Sequence, residues 1–172
     1  MKKMTGKAVA VAMALAMSTM MFAGCGASDN TAATSTSAKS EGVMTYAEYD
    51  AAAMDAEVVV ECYVQAHQSW WDNKVTVYAQ DADGAYFFYE MACTEEDAAK
   101  LTAGTKIKAT GYKSAWSGEV EIVDATFEFC EGADTYVAAP VDVTDLVGTD
   151  ALIEKQNQLV SFKDMTVVSV SY

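Results

Sequence analysis

The chain has 172 residues, 52% of them hydrophobic, which allows one or two small domains. It contains no arginine; ahead of Cys25 its only charges are Lys2, Lys3 and Lys7, and beyond it 8 Lys face 25 acidic residues, a balance of −17. A body this acidic repels phosphate backbones, which argues against a nucleic-acid partner, and keeps off anionic headgroups wherever it is not tethered.

The chain opens MKKMTGKAVAVAMALAMSTMMFAGC. Three lysines precede an apolar run from Ala8 to Met17 that is too short to span a bilayer comfortably. Small residues close the segment, as in a cleaved export signal. Phe22-Ala23-Gly24-Cys25 resembles the lipobox of bacterial lipoproteins, with Phe22 where Leu is usual. That resemblance implies removal of residues 1–24, acylation of Cys25, and an extracytoplasmic protein whose first partner is membrane lipid. Two or three acyl chains anchor far more firmly than one, because each buried methylene adds roughly 0.8 kcal/mol. Residues 26–42, GASDNTAATSTSAKSEG, are small and polar, so the stretch 25–44 reads as a lipidated cysteine and flexible tether.

From Thr45 the composition changes. Residues 45–54 are Ala-rich behind a capping threonine and predict a short helix. Residues 57–68, EVVVECYVQAHQ, alternate Val58, Val60, Cys62 and Val64 with Val59, Glu61, Tyr63 and Gln65, the period of a strand. Strands follow at 74–80 and 85–91, joined by the hairpin signal Asp81-Ala82-Asp83-Gly84. Thr94 and the acids after it start a short helix running to Leu101, closed by Gly104. Two more strands are expected at 105–112 and 119–129.

Three strands, a short helix and two strands resemble the OB-fold, a five-stranded, partly open barrel with a helix between strands three and four. The resemblance covers about 56–131, and LTAGTKIKATGYKSAWSGEVEI is its most specific stretch. It implies a mainly β domain over 45–137 and leaves the ligand open, because the fold hosts many functions. Beyond Pro140, residues 144–151 and then 158–170 repeat the helix-then-strand order of the barrel's start. Residues 138–172 therefore read as the beginning of a second, truncated unit, or as an extra strand packed on the first barrel.

All three tryptophans fall in two predicted loops, 67–73 (HQSWWDN) and 113–118 (KSAWSG). In OB-folds such loops flank the face of strands two and three. Indoles among polar residues offer flat platforms with a hydrogen-bonding edge, suited to sugars or peptides. The candidate ligand contacts are Trp70, Trp71, Trp116, His67, Gln68, Asp72, Asn73 and Tyr112. Against this, Trp116 could simply cap the barrel, and one ring of the Trp70–Trp71 pair could be core. His67 is the only histidine and has no catalytic partner at a meaningful spacing. Asp81 and Asp83 lack the later ligands of a calcium loop. Glu119, Glu121 and Glu128 suit a solvated outer face. Cys62 fits the core, and Cys93 could pair with Cys130 if strand ends meet. No metal or cofactor is expected. The sequence thus predicts a non-catalytic, lipid-anchored extracellular binding module for a small molecule, glycan or peptide. The alternatives are an assembly domain that meets an envelope protein and, disfavoured by charge, a nucleic-acid binder.

Overall fold

The computed structural model of the chain describes residues 39–170. The export signal, Cys25 and most of the tether lie outside the described residues.

Alternation decides the architecture. In β1 (Glu57–His67), Val58, Val60, Cys62 and Val64 all point into a dry interior. Val75 and Val77 of β2 (Lys74–Gln80) and Tyr86, Phe88 and Met91 of β3 (Ala85–Ala92) meet them there. β4 (Lys106–Trp116) adds Ile107 and β5 (Glu119–Phe129) adds Ile122. The five strands close into a barrel in the order β1-β2-β3-β5-β4. With a short helix, α2 (Glu95–Ala98), between β3 and β4, this is the OB-fold topology. β1 is shared at its middle: Glu57–Tyr63 pair with β4, and Tyr63–His67 pair with β2 across a bulge. Closure between β3 and β5 rests on one parallel register pair, Phe88 with Ile122. Gly111 allows β4 to cross tightly over β5: a Cβ there would stand 2.7 Å from Ile122 Cγ2 and 2.8 Å from the Val123 carbonyl.

Each end of the barrel is stoppered. At the start of β1, the helix α1 (Tyr46–Ala51) is fixed by a capping box between Thr45 and Glu48. It lays Tyr46 and Tyr49 against Tyr86, with centroids 5.6 and 5.1 Å away. At the opposite end Leu101 and Trp70 close the interior, and the Trp70 indole N–H donates to the Cys93 carbonyl at 2.9 Å.

Two straps cover the outer wall. The first is the end of the expected tether. Met44 N–H donates to the Val59 carbonyl at 2.8 Å, and Lys39 Nζ reaches Asp81 at 2.6 Å and the Glu61 carbonyl at 2.7 Å. Residues 39–44 therefore belong to the folded body, because a lysine can be buried there only with a carboxylate to receive it. The second strap follows β5. Gln65 binds the Ala138 amide and the Tyr136 carbonyl, and Tyr63 hydroxyl donates to Asp134.

The structure corrects several expectations. β4 runs to Trp116, so the predicted loop 113–118 shrinks to a two-residue turn, Ser117-Gly118, both with positive φ. Residues 138–170 form 3-10 turns at Thr144–Leu146 and Asp150–Lys155 and a parallel pair of two-residue strands, β6 (Val141–Asp142) and β7 (Val160–Ser161). No strand forms over 165–170. This segment docks through side chains: Gln156 and Asn157 grip the Val120 backbone, and Gln80 takes the Leu159 amide. Glu121 is 8% exposed, not solvated, and burial together with Glu119 raises its pKa. Cys62, Cys93 and Cys130 are all free thiols, so Cys93 and Cys130 do not pair; the Cys93 thiol instead donates to the Thr94 carbonyl.

Candidate functional site: the Trp71 cleft

The connection from β1 to β2 is built around a tight hairpin. Trp71 and Lys74 exchange both backbone hydrogen bonds at 3.0 Å, and Asp72 and Asn73 between them have φ of 50° and 59°. Two consecutive left-handed residues suit Asp and Asn, whose short polar side chains tolerate that region. The turn has a definite effect on the adjacent indoles. Trp70 is tied inward by its bond to Cys93, while Trp71 is left 80% exposed.

Beside Trp71 lies a cleft of about 280 Å³. Gln68, Ser69 and Asp72 come from the loop, Lys74 and Thr76 from β2, and Glu90 from β3. Lys74 Nζ sits 2.7 Å from Glu90 Oε2. The hydrogen bond from Lys74 holds the Glu90 carboxyl below its usual range, and Glu90 in turn raises Lys74. Glu90 has φ of 48°, and its amide donates to Thr76 Oγ1 at 3.2 Å, which turns its side chain towards the lysine. The cleft thus combines one bare apolar ring with hydroxyl, amide and ion-paired groups.

The structure separates the predicted contacts into three sets. Trp71, Gln68 and Asp72 share the cleft, and Asn73 lines the adjoining hollow. His67 and Trp70 are neighbours of the loop, but His67 Nδ1 is engaged with the Gln68 carbonyl at 2.7 Å and Trp70 packs on the core. Trp116, 73% exposed, and Tyr112, 45% exposed, are elsewhere. Trp116 pairs with Glu119 at the start of β5, which runs parallel to β3; Trp71 adjoins Lys74, opposite Ala92 at the end of β3. The two indoles therefore flank the β2–β3 face from opposite ends, more than about 20 Å apart at ~3.3 Å per residue. A single rim carrying all three rings does not exist. The Trp116 half of that face is also occupied by the strap at Gln80 and Val120.

Sequence reasoning missed Thr76 and Glu90 as cleft residues. The signal was the β2–β3 hairpin itself, which folds Glu90 back beside Lys74. Lys113, near Trp116 in sequence, is unavailable to any ligand: it is 4% exposed, and its Nζ binds the carbonyls of Tyr49, Asp50 and Ala52. Among the described residues no cluster of three His, Cys, Asp or Glu side chains could hold a metal ion.

No protein-family model and no curated protein matches the chain. Solved structures similar to it include the Stn1-Ten1 complex of S. pombe, at 18% identity over 44% of this chain and 58% of that one, with a TM-score of 0.35. The aspartyl-tRNA synthetase of Entamoeba histolytica is similar at 17% identity over 74% of this chain, with a TM-score of 0.41. The asparaginyl-tRNA synthetase of the same organism, in complex with asparaginyl-adenylate, is similar at 17% over 63%, with a TM-score of 0.35. The chain spans only 29% and 27% of the two synthetases.

Proposed function

We infer that the chain is a lipid-anchored, extracytoplasmic, non-catalytic binding module whose Trp71 cleft takes a neutral glycan. The observation that carries this is an indole left 80% exposed at the edge of a 280 Å³ cleft lined by hydroxyl, amide and carboxylate groups. A pyranose presents an apolar face to a ring and a rim of hydroxyls to such groups. A phosphate backbone would find only Lys74 among the lining cations, and Glu90 already neutralises it. The lipobox residues Phe22 to Cys25 support the anchored half of the reading.

Tryptophan fluorescence during titration with soluble cell-wall and plant oligosaccharides tests the cleft. A stacked sugar covering roughly 100 Å² of indole at ~25 cal/mol/Å² is worth about 2.5 kcal/mol, so Trp71→Ala is expected to weaken binding about 70-fold. Trp116→Ala should leave it unchanged. Equal affinity in Trp71→Ala, or no response to any oligosaccharide, refutes the glycan reading. In cells, incorporation of an alkyne fatty acid should vanish with Cys25→Ala; label that persists refutes the anchor.

A further inference from the structure

The Trp71 cleft does not end at the Lys74–Glu90 ion pair. A second hollow, of about 420 Å³, shares those two side chains and continues over β3 and β5 as far as Thr126. Two bulges shape it. On β3, Tyr89 and Glu90 together oppose Thr76 alone, because the register slips between Val75 and Val77. On β5, Asp124 and Ala125 oppose Gly111 alone. Glu90 and Asp124 take the left-handed φ, 48° and 49°, that these bulges require.

A bulge re-aims side chains. In a regular strand, Tyr89 and Glu90 would point to opposite faces. Here both are exposed and both line the second hollow, while Met91 after them returns to the core. A half-exposed aromatic ring therefore stands next to a carboxylate, the same pairing of groups that Trp71 and Glu90 make in the first cleft. Asp124 and Thr126 add a carboxylate and a hydroxyl beyond it. Lys74 is the only cation lining either hollow, and Glu90 holds it, so the groove offers no unpaired cation to a phosphate or a uronate.

We propose that the ligand is a linear, neutral oligosaccharide lying along both hollows, with one sugar on Trp71 and a later one on Tyr89. This rests on the glycan reading of the cleft and adds to it a second subsite and a preferred chain length. At about 280 Å³ the first cleft falls just below the ~300–1,000 Å³ usual for small-molecule sites, and the second hollow is the larger of the two. Aromatic faces at two places along a groove favour a chain of sugars over a single one. Glu90, at the junction, accepts from hydroxyls of the sugar that passes over the ion pair. Asp124 and Thr126 meet the hydroxyls of the next.

The test is calorimetric titration of the full chain with the β-1,4-linked glucose series from one to six sugars, and with the matching α-1,4-glucose and β-1,4-xylose series. In the series that binds, affinity should rise at least about tenfold from disaccharide to tetrasaccharide and then level off. Tyr89→Ala should return the tetrasaccharide to the affinity of the disaccharide, and Tyr89→Phe, which keeps the ring, should retain most of the gain. Thr126→Val, isosteric and suited to a strand, should weaken the tetrasaccharide severalfold and leave the disaccharide unchanged. Trp71→Ala should weaken every length. Binding that depends on Trp71 but is equal for disaccharide and tetrasaccharide overturns the second subsite and leaves the cleft reading standing. So does a gain with length that survives both Tyr89→Ala and Thr126→Val. Absence of binding by all three series at every length overturns the second subsite and the glycan reading together.

Discussion

Replacing Lys113 by Met should unravel one end of the barrel, and its cost follows from the geometry. Lys113 Nζ is the cap of α1: it donates to the carbonyls of Tyr49 at 3.1 Å, Asp50 at 2.6 Å and Ala52 at 3.1 Å. It also sits 5.2 Å from the Tyr49 ring centroid. A hydrogen bond to a charged group is worth about 1.5–3 kcal/mol net, and each buried carbonyl left bare costs about 1–3. Against these gains stands the desolvation of the ammonium, which Met does not suffer. The balance is a loss of about 2–4 kcal/mol. With a urea m-value of about 2 kcal/mol/M, the midpoint should fall by about 1–2 M with unchanged slope. Thermal unfolding should fall by about 10 °C. Lys108→Met is the control: its Nζ is 3.5 Å from the exposed Glu128 carboxylate, a contact worth less than about 1 kcal/mol. Far-UV circular dichroism reads both variants. If Lys113→Met unfolds at the same midpoint as Lys108→Met, the capping role is refuted.

Glu61 gives a pH dependence. Burial opposes its ionisation, but hydrogen bonds from Ser40 and Lys106 outweigh burial and hold its carboxyl below the ordinary glutamate value. A depressed folded pKa contributes stability above the unfolded value and loses it as pH falls through the folded one. Glu61→Gln should therefore be less stable at pH 7 by about 2 kcal/mol, and the gap to wild type should close below pH 4, as read by urea melts across pH. A gap that stays constant with pH contradicts this. Gly111→Ala should cost about 1–3 kcal/mol, because its methyl must displace the Val123 carbonyl as well as Ile122; a midpoint equal to wild type would show that β4 can shift aside.

The barrel was legible because its signal is local. Val58, Val60, Cys62 and Val64 alternate with Val59, Glu61, Tyr63 and Gln65, and Asp81 organises its own turn by accepting from the Asp83 and Gly84 amides. What could not be read depends on residues far apart in sequence. Lys113 lies in a polar stretch that looks like loop, yet it extends β4 and serves a helix more than sixty residues earlier. Glu121 looks solvated on a strand's outer face, yet in the folded chain it is buried, beside a Val120 backbone that Gln156 and Asn157 hold. Lys39 looks like part of a structureless tether until Asp81 is placed beside it. In the candidate site, Trp71 stood out by residue type. Its distance from Trp116 did not, because the handedness and stagger of the barrel decide which ends of two strands coincide.

The grip of Lys39 on Asp81 fixes where the first described residues meet the barrel. Asp81 follows the last residue of β2, and the Trp71 hairpin precedes the first, so the upstream chain joins the barrel a full strand-length from the cleft. Tension along that chain would be passed to the β2–β3 hairpin by a buried ion pair instead of peeling β1 from its neighbours.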